Sequence, residues 1–437
     1  MKLDRRDTPV SHATDAALEA YETALQQLQA YRGDPLATID AALAQHPDFL
    51  MGHLFKAGAL MTAAENRFTA MARQSLNDAA KLKGNDREER LRNGIELLVQ
   101  GHYHRGGQAL DDLLADYPRD ALALQIGHLF DFVRGNALTL RDRVTRVLPH
   151  WTPAVPGYGY VKGMHAFGLE ECNQYQQAEQ AARVALSFDP RDGWAAHAIA
   201  HCMEMQGRID DGIAWMETSS RDWQETGILA IHNWWHLGLF HLDRGNLDRV
   251  LKLYDTVIFS QPSDMLLVLV DATSMLWRLH VLGHDTGNRM QALADIWQAR
   301  MDEEHGFWAF NDVHAMMAYA ATGREAQAQQ VMRWLEQAAR GDNTNAGMVR
   351  EVGMPVAKGL LAYGRQDWQG AIDNLAPVRE ISNRFGGSHA QRDVLSLTLI
   401  KAAVNAGRHN LARHVLAERT AGKPESALGW TMLAQVE

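Results

Sequence analysis

Two pairs of histidines stand four residues apart, His197 with His201 and His232 with His236, and Glu204 follows the first pair by three. Positions four apart on a helix lie one above the other. Four imidazoles and a carboxylate are a workable ligand set for zinc, nickel, copper or iron. The pattern is not that of a metalloprotease, which needs Glu directly after the first His, since Ala198 and Ile199 follow His197. The same groups could perform acid–base chemistry, because imidazole changes charge nearest neutral pH. Asp271, Asn311 and Asp312 are candidates to orient these rings. A carboxylate beside histidine favours the charged form, which seats an anion, whereas a metal demands neutral imidazole.

Other reactive groups read as structure. Cys202 follows His201 directly, but helical neighbours point about 100° apart, and a buried inert thiol is the default for a helical cysteine. Ser388, three residues before Gln391, reads as a helix cap with its capping box. His389, Arg392 and Asp393 then leave the first turn and read as a salt-bridge cluster. Met316, Met317, Trp277 and Trp297 read as packing. Of the adjacent Trp234 and Trp235 only one can face inward, and the register assigns Trp235 to the functional face, where an aromatic wall suits stacking or cation–π contact.

The elements that carry these residues come from a repeat. Turn residues recur at Gly33, Asn66, Gly135, Asn173, Gly207, Gly245, Gly283, Gly323, Gly364 and Gly407, with a weaker turn at Arg105. A second marker, Pro47-Asp48, Pro118-Arg119-Asp120, Pro190-Arg191-Asp192 and Pro262-Ser263-Asp264, recurs at about twice that spacing. Periods of roughly 20 to 50 residues signal a solenoid. A left-handed turn residue ends one helix, and a proline at a first helical position opens another. The expectation is all-α, an α-solenoid of about ten or eleven tetratricopeptide-like helical hairpins, the two-helix period known for such repeats. Residues 1–15 read as an N-terminal tail, 16–420 as a continuous superhelix and 421–437 as a C-terminal helical cap.

Counting back from each turn places His197, His201, Glu204, His232, Trp235, His236, His314, Glu351 and Lys358 within an arc of about 120° on the first helix of their hairpins, at about 100° per residue. Asp271 and Asp312 flank that arc. In tetratricopeptide-like repeats this face lines the concave groove.

Several strings go beyond the generic repeat: HAIAHCMEMQGR (His197 to Arg208), HNWWHLGLFHL (His232 to Leu242), DATSMLWRL (Asp271 to Leu279), FNDVHAMMA (Phe310 to Ala318) and GGSHAQRD (Gly386 to Asp393). In these the chain resembles the tetratricopeptide repeat protein 38 family over about 200 residues. The resemblance implies the repeat fold and a set of shared residues, and no reaction.

The 437 residues are 46% hydrophobic and 22% charged, which excludes wholesale disorder. A net charge of −10 argues against a large basic footprint for nucleic acid or anionic membrane. Two cysteines make no disulfide framework, and the start lacks the apolar stretch of a signal peptide, so a cytoplasmic setting is expected. The leading expectation is a binding module that holds a small molecule or short peptide in a histidine-rich groove. No cofactor is expected, although a transition metal is chemically allowed, and Lys358 on the same arc favours an anionic organic ligand. The alternative is an enzyme using the His and Glu constellation, and a homo-oligomeric scaffold without ligand is the third reading.

Overall fold

The computed structural model describes residues 1–436. Helices pair in sequence, from Asp15–Ala30 with Pro35–Gln45 to His389–Asn405 with His409–Gly422, making eleven antiparallel hairpins before a last short helix, Ala427–Ala434. The fold class is all-α, an α-solenoid of tetratricopeptide-like hairpins, and a two-stranded ribbon is the only β structure among the described residues. No described helix is long and apolar enough to cross a membrane.

Small residues set the packing within a hairpin. In the pair Tyr158–Glu171 and Tyr175–Phe188, Ala178, Ala181, Ala182 and Ala185 are buried where the second helix meets the first. The turn between them is Asn173, at φ 60°. Seven of the turn glycines, at 33, 135, 207, 245, 283, 323 and 407, also have positive φ. Three turns lie elsewhere than the sequence spacing indicates. Ala64 (φ 54°) takes the left-handed position rather than Asn66, Gly101 (φ 82°) rather than Arg105, and Gln366 (φ 61°) rather than Gly364. Gly364 has a different task, because a Cβ there would lie 2.6 Å from the Ala320 carbonyl oxygen, so the glycine lets two helices touch.

The recurrent Pro-Arg-Asp marker opens helices by another means than a first-turn proline. Asp120 caps Ala121–Val133 by accepting from the Ala123 N–H at 2.9 Å. Asp192 accepts from the Trp194 and Ala195 N–H groups, both at 3.0 Å, ahead of Gly193–Gln206. The aspartate satisfies orphan donors of the first turn, and the proline two residues earlier lies outside the helix.

The chain forms two compact units where the sequence suggests one continuous array: Met1–Ala198 with Asp222–Gly227, and Ile199–Arg221 with Ile228–Glu437. In the first, residues 2–10 are a structured ribbon (Lys2–Leu3 against Pro9–Val10) whose Arg6 is buried with Asp4 and Glu22 at 3.3 and 2.8 Å. Arg87 with Asp120 and Arg143 with Asp131, each pair at 2.7 Å, are fully buried there. In the second, Trp277, Trp297, Met316 and Met317 are core, and Ser388 caps His389–Asn405 with Gln391 closing its capping box.

Candidate metal centre

Within the second unit, three successive hairpins deliver the reactive side chains. Helix Gly193–Gln206 carries His201 and Glu204 one turn apart, helix Ile228–Asp243 carries His232, Trp235 and His236, and helix Leu266–Val281 carries Asp271, Ser274 and Arg278. The i, i+3 and i, i+4 spacings put each set on one helix face, and these faces meet. His201, His232 and His236 each offer a ring nitrogen, all within 4.8 Å of one another. The rings of His201 and His236 are 4.4 Å apart, those of His232 and His236 4.9 Å. His197 stands one turn ahead of His201 on the same helix, its ring against Phe167 and Trp194 at 5.2 and 5.1 Å.

Carboxylates fix two of the three rings. His236 Nδ1 lies 2.8 Å from Glu204 Oε2, and His232 Nδ1 lies 2.8 Å from Asp271 Oδ2. An ionised carboxylate only accepts, so each Nδ1 carries the proton and each Nε2 keeps its lone pair. The sequence placed Asp271 as an orienting residue, and it has that position. Trp235 stacks on the His232 ring at 5.2 Å, donates from Nε1 to Ser274 Oγ at 3.1 Å, and lies under the Arg278 guanidinium at 5.3 Å.

A ring of charge surrounds the imidazoles. Lys423 Nζ donates to Glu204 Oε1 at 3.1 Å and stands 3.8 Å from Asp393, which Arg419 holds at 2.9 and 3.0 Å. Arg278 donates to the Ser274 and Ala390 carbonyls at 3.1 and 2.7 Å. Burial pushes the His236 ring well below its usual pKa, and the neighbouring histidines, Lys423 and Arg278 push the same way. Burial raises Asp271, against the pull of His232 and Arg278. Burial likewise lowers Arg278, to about 10, although Asp393 and Glu204 oppose it. Burial would raise Asp393, but Arg419 and Lys423 outweigh it and hold the carboxyl far below its usual range. His236 is therefore neutral at neutral pH, the state in which imidazole binds a cation.

The sequence arc predicted a face open to ligands, and the structure differs. His197, His201, Glu204, His232, Trp235, His236, Asp271, Asp312 and His314 are all buried. In the second unit the 266–281 helix and the residues around Lys423 cover that face, so these groups sit inside packed helices. A cavity of about 20 Å³ beside Glu204, Arg278, Asp393 and Lys423 has room for about one water. His314 is buried by its own turn, donating from Nδ1 to the Phe310 carbonyl at 2.7 Å, with its pKa pushed down to about 4 by that burial. Asp312 accepts from the Gly306 N–H at 3.3 Å, and burial pushes its pKa up to about 7. Glu351 and Lys358 are exposed, Glu351 pairing with Arg384 at 2.8 Å, so neither belongs to the cluster. The expected pair of a buried and an outer tryptophan is present, but it is Trp235 that is buried and Trp234 that is half-buried. Lys423 and Arg278 escaped the sequence reading. Arg278 lies inside the DATSMLWRL string, whereas nothing near Lys423 marks it.

No family model matches the chain. It is similar to Cut9–Hcn1, a hetero-tetramer of the APC/C, at 12% identity, TM-score 0.46, over 99% of this chain and 78% of that one. It is similar to the human IFIT1 dimer with m7Gppp-AAAA at 11% identity, TM-score 0.44, over 98% and 95%. A third is the Rap conjugation gene regulator of the plasmid pLS20 with the Phr* peptide, at 13% identity, TM-score 0.34, over 83% and 98%.

Proposed function

We propose that this chain is a metal-binding helical-repeat protein, whose second unit holds one divalent transition ion on His201, His232 and His236. One observation carries the reading: three buried imidazoles with nitrogens within 4.8 Å, two of them anchored through Nδ1 by Asp271 and Glu204. Hydrogen-bonding the second nitrogen to a carboxylate fixes tautomer and orientation and raises ligand basicity, as at protein metal sites generally. Three imidazoles with one further donor satisfy zinc, and the nitrogen-rich set also suits nickel or copper. Burial favours holding the ion over turning substrate over at it.

The sequence alone weighed more toward an organic ligand in an open groove. What turns the reading toward a metal is the burial of the imidazoles and the neutrality of His236. The resemblance to the tetratricopeptide repeat protein 38 family belongs to the same reading, because the strings that carry it supply the converging groups. His201 and Glu204 come from the first string, His232 and His236 from the second, Asp271 and Arg278 from the third, and the Ala390 carbonyl that holds Arg278 from the last. A cytoplasmic setting belongs to the same reading, Cys172 and Cys202 being thiols rather than a disulfide.

The test is elemental analysis of untagged protein, followed by zinc titration of chelator-treated protein under native mass spectrometry. The expected result is about one ion per chain, lost when His201→Ala and His232→Ala are combined and kept in Glu351→Ala. Chelator-treated protein that takes up zinc, nickel, copper or iron no better than the double variant, with helicity intact in both, refutes the centre.

A further inference from the structure

We propose that the first unit carries a second, independent site, which binds a small organic anion with an apolar body between helices Ala137–Val147, Tyr158–Glu171 and Tyr175–Phe188. These helices line an open groove of about 600 Å³. That volume falls in the usual range for small-molecule sites, roughly 300–1,000 Å³. Arg141 and Lys162 make part of its lining cationic, with the neutral His165 beside them, and Leu169, Ala181 and Val184 make another part apolar.

The cationic part is under-compensated. Its one carboxylate, Asp142, is taken by Arg141 Nε at 2.7 Å, while Arg141 Nη1 donates to Gln174 Oε1 at 3.1 Å. Lys162 lies three residues before His165 on the same helical face, and among the described residues no carboxylate pairs with it. His165 Nε2 meets Thr145 Oγ1 at 3.1 Å, and its Nδ1 is buried without a hydrogen-bond partner. In a protein of net charge −10, a half-buried lysine with no acidic neighbour has an unmet electrostatic demand. Burial lowers the Lys162 ammonium's pKa, and burial with Lys162 and Arg141 drives His165 down to about 4. An anionic head seated between Lys162 and Arg141 would answer that demand. The apolar part selects what the head is attached to: Val184 is 39% exposed at its rim, so an alkyl or aryl body covers surface that inorganic anions leave wet.

The experiment is calorimetric titration of the full chain with hexanoate, hexyl phosphate, hexan-1-ol and inorganic phosphate at low salt. At least one of the two amphiphilic anions should bind about tenfold or more tightly than both hexan-1-ol and inorganic phosphate, and the stronger of the two identifies the head group. Lys162→Gln should weaken that binding about tenfold or more, and Lys162→Arg should restore most of it. Binding of hexan-1-ol or inorganic phosphate as tight as that of the amphiphilic anions overturns the proposal, as does the absence of anion binding. So does an affinity that Lys162→Gln leaves unchanged in a protein of native helicity. The site shares no residue with the imidazole cluster, so the two proposals stand or fall separately.

Discussion

Replacing Lys423 by methionine keeps the length of the side chain and removes its charge, which isolates the contribution of one ion pair. Lys423 and Glu204 are each about 6% exposed at their side chains and meet at 3.1 Å. Breaking a buried pair from one side costs about 3–5 kcal/mol, because the remaining charge stays buried without its partner. Two contacts reduce the cost here: Glu204 keeps the His236 Nδ1–H at 2.8 Å, and Asp393 keeps Arg419. The expected loss for Lys423→Met is therefore at the low end, about 3 kcal/mol. Adding Glu204→Gln neutralises the stranded carboxylate, so the double variant should recover a large part, a coupling of about 1.5 kcal/mol or more. Urea unfolding of the wild type, both single variants and the double variant at pH 7 measures each term. Costs that simply add in the double variant would show that the pair contributes nothing and that Glu204 is held by His236 alone.

Asp312 predicts a pH dependence. Its folded pKa, about 7, lies above that of an unfolded aspartate, ~3.9. The native state thus prefers the protonated form, and this contribution is whole below pH ~4 and lost as pH rises through ~7. Asp312→Asn should match the wild type in stability near pH ~4 and exceed it near pH ~8, by at most about 4 kcal/mol; an equal gap at both would refute the assignment. Gly364→Ala forces a Cβ to within 2.6 Å of the Ala320 carbonyl and should cost about 1–3 kcal/mol in thermal or urea unfolding. Gly323→Ala, with nothing within 4 Å but a φ of 68°, should cost only about 1 kcal/mol, and the reverse order would be inconsistent with the packing.

The hairpin repeat was legible because most turns need a left-handed residue and glycine supplies it most cheaply. It misplaced three turns, and two of them show why. Ala64 and Gln366 show that other residues take that conformation when packing demands it, and Gly364 shows that glycine also serves close helix approach. The imidazole pairs and Asp271 could be found because helical spacing is local. Their burial could not, since it depends on what lies over the face: the helix bearing Arg278, and Lys423, which is 219 residues from its partner Glu204. Glu351 and Lys358 share that angular register but are exposed in later hairpins. Angle around a helix says which way a side chain points and nothing of what it meets.

The bond between Glu204 and Lys423 also changes what kind of object the second unit is. In an open repeat array each hairpin touches only its neighbours, so units can be gained or lost with a roughly constant penalty. Here Lys423 returns to Glu204, Ser426 Oγ donates to Asp243 at 2.7 Å, and Gly207 sits so close under Glu425 and Ser426 that a Cβ would fall 2.8 Å from the Ser426 nitrogen. Removing or inserting a hairpin between residues 207 and 423 would leave these ends unable to meet. The number of repeats in this stretch is thereby locked, and its folding must wait for a closure between distant parts of the chain, as in folds of high contact order.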